Sequence, residues 1–525
     1  MDLSRGTLLV LAGVGLFVTT MAVGAVTAPD RTIGATEGGP ATPAGAPTAS
    51  DAPTPTDGVD PGDGTATDGT PTPTATPAPD APQTLVGMQG GWVTHGSVFK
   101  FDGHDEAWRV TNADGYFEVS VLDDGRIAAA FSNESVQTDC APYDSPCGRT
   151  GFRIIDPDAA GGPAVVSEYS FATRRQHNRE VHAVDALGGD RFAFADMDRE
   201  RIVVVENGTE VWEWRASSFY DAPDDPTGRD WLHINDVDAI GDERFLVSVR
   251  NANQLLVVER GAGVVEVINA DRDDSDDDIC TDGPQLADFD GDGDVRCGDP
   301  DVINHQHNPQ WLGPGAVLVA DSDNDRVVEL HRNESGVWKP AWVVRRTGGL
   351  ELQWPRDADR LPNGNTLIAD SRGKRIVEVD PQGTAVWSAP TDRFPYEADR
   401  LPIGESSGRY DGAATGPTAS PTPTDGSPES ATETPGRTET AGATETPGRT
   451  PTPTPEGLPQ LTASDPDSLD DTGDDVPLLT LAVAGIQTFP QIPFWYREFH
   501  LGVTILSALL VVGGGVDALR ARYLG

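Results

Sequence analysis

Lysine is almost missing from this chain of 525 residues: Lys100, Lys339 and Lys374 are the only ones, so nearly all positive charge is arginine. Even that is outweighed, because 84 acidic residues face 38 basic ones and leave a formal charge of −46. So acidic a surface repels phosphates, which excludes nucleic acid as a natural partner. The GxxxxGK[ST] loop that cradles nucleotide phosphates is also lacking, so no nucleotide cofactor is expected. Charge this one-sided repels itself unless salt screens it, and the reading is a halophilic surface. Large apolar side chains are scarce in residues 29–84 and 409–475, which are runs of Thr, Pro, Gly, Ala, Asp and Glu. Such runs bury too little surface to offset chain entropy and are expected to be disordered linkers. Residues 85–408 remain as the one stretch able to build a sizeable core.

Long uninterrupted apolar runs occur only near the ends. Residues 7–28 are uncharged, and at a 1.5 Å rise per residue they reach across a bilayer core of about 30 Å. Arg5 precedes them, which favours a cytoplasmic N-terminus; a cleaved signal peptide is the rival reading. Residues 499–516, followed by Arg520 and Arg522, form a second candidate span with the same orientation. Residues 1–28 are thus expected to be an anchor and 476–525 a C-terminal membrane segment. The apolar stretch 478–495, broken by Pro490 and Pro493, is either interfacial or a third span. The domain between would be extracytoplasmic, held to the cell membrane. Four cysteines in two close pairs agree with that side. Three pairings are open, and the local one, Cys140 with Cys147 and Cys280 with Cys297, is expected. Sequons at Asn133, Asn207 and Asn333 also suit a glycoprotein facing outward.

Within 85–408 a unit recurs. HAVDALGGDRFAFADMDRERIVVVENGTEVWEW (182–214) matches units at 235–268, 308–344 and 357–389, and a divergent copy spans 115–171. Each carries short apolar runs separated by tight turns, four strands in all, which is a propeller blade. Runs such as RIVVVE, apolar without alternation, suit strands covered on both faces. Residues 97–110 supply the end of a unit and 396–402 the start of one. Joined, they close an all-β, six-bladed ring. Aligning the units puts Phe117, His182, Asn235, His307, Arg356 and Tyr396 at one position on the innermost strands, which line the channel. His233 and His305 lie two residues before Asn235 and His307, so strand alternation would put each pair on one face.

The segments DWLHIND followed by FLVSVR, NHQHNPQWLGPGAVLVADSDN, and EVHAVDAL resemble the arylsulfate sulfotransferase family, enzymes built on a six-bladed propeller. The resemblance implies transfer of a sulfuryl group from an aryl sulfate to a phenol through a sulfohistidine. It implies His307, which follows Gln306, as nucleophile, with His305 as the competing candidate. It further implies His233 and Arg250 as transition-state stabilisers and His182 as another channel histidine; Arg356 would add a cation for sulfuryl oxygens. A neutral imidazole attacking sulfur divides one displacement into two. The alternative is a non-catalytic propeller that binds glycans or envelope partners.

One motif stands apart. DFDGDGDVRCGD (288–299) places Asp288, Asp290, Asp292 and Asp299 at loop positions 1, 3, 5 and 12, with Gly293 at the sharp turn. Asp294 would contribute its carbonyl. Hard oxygen donors at this spacing suit a structural Ca2+.

Overall fold

The computed structural model describes residues 5–27, 32–33, 81–90, 95–175, 178–241, 243–270, 286–289, 295–404 and 498–523. Six four-stranded antiparallel sheets follow one another as blades. Blade 1 comprises Gly115–Val121, Ile127–Val136, Cys147–Asp156 and Ala164–Thr173. Blade 2 comprises Val181–Ala186, Arg191–Asp196, Arg201–Glu206 and Thr209–Arg215. Blade 3 runs Ile234–Gly241, Arg244–Val249, Gln254–Glu259 and Gly263–Ile268; blade 4 runs His307–Gly313, Ala316–Asp321, Arg326–Arg332 and Trp338–Val344. Blade 5 has Pro355–Arg360, Thr366–Asp370, Arg375–Val379 and Ala385–Pro390. In blade 6 the last strand among the described residues, Phe394–Leu401, pairs with Gln83–Gln89, and Gly96–Asp102 and Asp105–Ala113 complete the sheet.

The composite blade is therefore as the repeats imply, with one strand they did not reveal. Gln83–Gln89 is that strand, and it begins two residues before the expected domain start. Its sequence, QTLVGMQ, lacks the closing Ala-Asp that ends the second strands of blades 2, 4 and 5. The expected linkers lie outside the described residues, except near this strand and at Ile33, which bridges Ser388 of blade 5.

The unalternated apolar strands have a simple explanation in packing. Along Arg201–Glu206, Val203 and Val205 pack with Phe152 and Ile154 of blade 1, while Ile202 and Val204 pack with Val247 and Leu256 of blade 3. Each strand thus feeds two cores, and polar alternation would leave one side unpacked. Further interblade cores join blades 3 and 4, 4 and 5, 5 and 6, and 6 and 1. The ring closes on apolar contact, with no open sheet face between blades.

Two polar devices add register. The second and third strands are joined by buried pairs, Asp196 to Arg201 at 2.8 Å, Asp321 to Arg326 at 2.5 Å and Asp370 to Arg375 at 2.7 Å. Inner-strand side chains then accept backbone N–H bonds from the next blade. Glu118 takes Val184, Asp185 takes Ala239, Gln310 takes Arg360, Asp357 takes Ala398, and Glu397 takes Val119. A backbone donor that would otherwise be buried without a partner is satisfied in each case.

Cys140 and Cys147 form a disulfide in the blade 1 insert. Cys297 is also disulfide-bonded. Its expected partner, Cys280, lies outside the described residues. Both terminal segments are helical, Arg5–Thr27 and Glu498–Tyr523, and they pack together so closely that a side chain at Gly13 would meet the Ser507 carbonyl. Among the described residues no helix is long and apolar enough to cross a membrane. The helices are present, but the expectation that they span a bilayer finds no support there.

Candidate active site

The six aligned positions do converge. Phe117 lies 4.3 Å from His182, ring centre to ring centre, and both pack around Tyr396, at 5.3 and 5.1 Å. His307 reaches the same tyrosine at 5.9 Å, and the Arg356 guanidinium sits 5.1 Å from it. Asn235 donates to the Gln306 carbonyl at 2.8 Å, tying blade 3 to the residue before His307. All six are buried.

His233 joins the group by a route that alternation does not describe. It precedes the inner strand of blade 3 and has φ +56°, a left-handed residue in the entering turn. That turn is held by Glu200, whose side-chain oxygens accept the backbone N–H groups of Leu232, His233 and Ile234. The ring thereby comes within 5.7 Å of His182. Asp230, three residues earlier, lies 2.8 Å from Nδ1, and Arg250 Nη1 lies 3.1 Å from Nε2. An arginine can only donate and a carboxylate only accept, so His233 carries its proton on Nδ1. Arg250 meets it because Ile234 pairs with Val249 across the hairpin.

His305 has φ +45° and departs from the expected shared face in the same way, with a different outcome. Its Nδ1 bonds Asp323 at 2.6 Å, and the side chain is 25% exposed. His307 is 1% exposed, with Nδ1 2.8 Å from the Ser322 hydroxyl. The geometry thus separates the two candidates. His305→Ala is expected to change turnover by less than about threefold, the loss of one partly exposed bond, as read in steady-state assays; a collapse of activity would contradict this placement.

Trp354 was not singled out by the repeats. It too is left-handed, at φ +51°, and its indole N–H donates to Asp323 at 2.7 Å. The ring stands 5.6 Å from His307, with the guanidiniums of Arg356 and Arg372 at 4.1 and 4.3 Å. Arg356 also donates to Gln89 of blade 6.

Burial decides the protonation states. His307 is held well below the ordinary imidazole value, first by desolvation and then by Arg356 and Arg250. His182 is lowered likewise, by burial and then by His233 and Arg356. Burial and then Arg250 bring His233 down to about 4, against the pull of Asp230. Burial alone would raise Asp230, but His233 and Arg250 hold it at about 2. Arg356 is lowered by burial to about 9 and remains cationic at neutral pH. The site therefore offers neutral imidazoles beside two cations. Because the folded-state imidazoles resist protons, the unfolded chain binds them first as pH falls below 6.5. The share that His233 contributes is full above that value and is lost as pH falls toward about 4, and the lowered His182 and His307 act in the same direction. Melting temperature should fall across that window, and more shallowly in the triple variant His182→Gln, His233→Gln, His307→Gln; equal slopes would contradict the assignment.

Several buried polar atoms here have no hydrogen-bond partner among the described residues: His182 Nδ1, Tyr396 Oη, Arg356 Nε and Asn235 Oδ1. Each such atom costs about 1–3 kcal/mol, and a polar ligand would recover it. A cleft of about 510 Å³ elsewhere, bounded by Leu122, Asp185, Leu187 and Arg260, contains none of the histidines.

The Arg250–Ala252 turn rests on the segment before His307. Gly298 donates to the Ala252 carbonyl at 2.7 Å, and a side chain there would lie 2.3 Å from the Asn253 carbonyl oxygen. Asn253 in turn accepts the His305 N–H. Asp290, Asp292 and Asp294 lie outside the described residues, and Asp299 caps a turn by accepting the Asp301 N–H. Among the described residues no group of three or more potential ligands gathers for a metal ion.

Solved structures similar to this one match it at low identity. A Bacteroides caccae protein of unknown function is 15% identical, with a TM-score of 0.40, over 61% of this chain and 99% of that one. The periplasmic gluconolactonase of Pseudomonas aeruginosa is 15% identical, TM-score 0.39, over 61% and 99%. Virginiamycin B lyase from Staphylococcus aureus is 7% identical, TM-score 0.33, over 60% and 85%. Likenesses this distant carry no argument about function. No curated protein matches the chain. Residues 179–336, the stretch that holds His182, His233, Arg250 and His307, match the family model described as Arylsulfotransferase (ASST).

Proposed function

We propose that this protein is an arylsulfotransferase-like enzyme that moves a sulfuryl group from an aryl sulfate to a phenol by way of a sulfohistidine at His307. The observation that carries the reading is the set of buried, partnerless polar atoms on His182, Arg356 and Tyr396, gathered with neutral His307 around the Tyr396 ring. A sulfate ester brings oxygens for those donors and a sulfur for the imidazole. In the first step the Nε2 lone pair of His307 forms an N–S bond while the S–O bond to the aryl group breaks, its electron pair leaving with the phenolate. In the second, a phenolate acceptor attacks sulfur and the N–S pair returns to the ring. The acceptor's proton ends on the departed phenolate, so charge and protons balance with no cofactor. Arg250, Arg356, His233 and His182 stabilise the charge that spreads over the sulfuryl oxygens. Trp354 and Tyr396 supply an aromatic wall for the aryl group. Release of p-nitrophenol from p-nitrophenyl sulfate, stimulated by a phenol in molar salt, tests the reading. An inert protein under those conditions would favour the binding propeller.

The setting of the domain belongs to the same proposal. Membrane anchoring rests on the apolar residues 7–28 and 499–516, and is supported by the exposed Leu11, Phe17, Val18, Leu509 and Val512 on the paired helices. An extracytoplasmic side rests on the disulfides and sequons, and salt adaptation on the charge. A structural Ca2+ at Asp288, Asp290, Asp292, Asp294 and Asp299 rests on their spacing. Chelation should then lower the melting temperature, and Asp288→Ala with Asp292→Ala should remove that response, since a ion bound only by the folded state stabilises it. A melting curve indifferent to chelator in wild type would reject the ion.

A further inference from the structure

His307 opens the inner strand of blade 4, and Ser322 directly follows the second strand. Because His307 pairs with Ala320 across the hairpin, the two side chains meet at 2.8 Å, both buried. A serine hydroxyl has one proton to give and lone pairs to receive with. Ser322 Oγ lies 2.7 Å from the Pro355 carbonyl and 3.3 Å from that of Ala320, and a carbonyl can only accept.

Blade 5 repeats the arrangement without a histidine. Ser371 follows Asp370 as Ser322 follows Asp321, and its hydroxyl donates to the Pro395 carbonyl at 2.6 Å. The aligned inner-strand residue there is Arg356. Pro355 and Pro395 hold the same place, each just before a channel residue, Arg356 or Tyr396. The hydroxyl proton in this position therefore belongs to the next blade's carbonyl. In blade 4 only a lone pair remains for the imidazole, which must donate its own N–H.

We propose that Ser322 is a positioning residue: it accepts the Nδ1 proton of His307, fixes that tautomer, and leaves the Nε2 lone pair directed to the reacting sulfur. The inference rests on the reading of His307 as nucleophile for its catalytic consequence, and on geometry alone for the tautomer. As Nε2 bonds to sulfur and the phenolate departs, the ring gains positive charge. Its Nδ1–H then becomes a charge-assisted donor, and the bond to Ser322 strengthens along the reaction. The Nδ1 proton stays in place through both steps. An interaction that strengthens in this way acts on kcat more than on KM.

The test uses the full chain labelled with 15N-histidine, the His307 signals being assigned by their loss in His307→Gln. Wild type should show Nδ1 protonated and Nε2 bare. Ser322→Ala should mix the tautomers and lower kcat about 10–100-fold, as when the outer partner of a metal-bound imidazole is removed, with KM little changed. Ser371→Ala loses the equivalent bond to a proline carbonyl and should keep both the His307 signature and turnover. Wild type with Nε2 protonated would overturn the proposal, whether or not any variant folds. Equal effects of Ser322→Ala and Ser371→Ala on signature and kcat would also overturn it, leaving only a structural role. If the wild type showed the Nδ1–H signature, lost in Ser322→Ala, but turned over no aryl sulfate, the positioning would stand and the sulfotransfer reading would fail.

Discussion

His307→Ala should eliminate sulfuryl transfer, leaving no turnover above the uncatalysed reaction and no labelled enzyme. The expectation follows from the two-step path. Without the imidazole, donor and acceptor must react directly, and both are anionic when the acceptor is activated. The loss should exceed the roughly 10²–10³ of a removed stabilising donor, because the covalent intermediate itself is gone. His305 cannot substitute: its Nδ1 is committed to Asp323 and the ring stands partly in solvent, outside the ring contacts around Tyr396. The variant should still fold, since the second and third strands of blade 4 are held by the Asp321–Arg326 pair and pack Leu318 and Val327 against blade 5. Full activity in a folded His307→Ala protein, measured by phenol-dependent release of p-nitrophenol, would remove the nucleophile from this position.

Arg250→Ala is expected to lower kcat/KM by about 10²–10³, the range for removal of one donor to developing charge. Its guanidinium does two things at once. It donates to His233 Nε2 and, through Nε, to Asn251, and its charge lowers the proton affinity of His307. Arg250→Lys should recover little, because a point charge lacks the planar fork needed to hold an imidazole and a sulfuryl oxygen together. His233→Ala should show a loss of similar order. The pair should be non-additive, since each variant breaks the same Asp230–His233–Arg250 chain. A double variant whose losses simply add would mean that the two residues act independently.

How much of this was written in the chain differs from element to element. The blade count was legible because RIVVVE and its copies are apolar on both faces, which only a strand between two blades requires. The convergence of His182, His307 and Arg356 was legible because the repeat fixes register. Strand Gln83–Gln89 was not, since blade 6 draws its strands from opposite ends of the propeller domain and that one carries no repeat landmark. His233 and His305 defeat the period of two because both sit in left-handed turns, before the strand geometry begins. Glu200 is the hidden cause for one of them: it lies in a blade 2 turn, and only the fold brings it under the blade 3 entry. Asp230, three residues before His233, and Ser322, after a recurring Ala-Asp, did leave signals in sequence. The recurring Asp-x-x-x-x-Arg spacing at 196–201, 321–326 and 370–375 would have located the blade hairpins, and with them the position of Ser322.

The central claim is a covalent sulfuryl group on one imidazole. The most direct measurement is rapid quenching of the wild-type chain mixed with p-nitrophenyl sulfate, without acceptor, in molar salt, followed by peptide mass mapping under alkaline conditions that spare an N-sulfo bond. The account predicts the mass of one sulfuryl group on the peptide containing His307, formed with a burst of p-nitrophenol and discharged when a phenol is added. A burst with the label on His305, on His233, or on a tyrosine would contradict it.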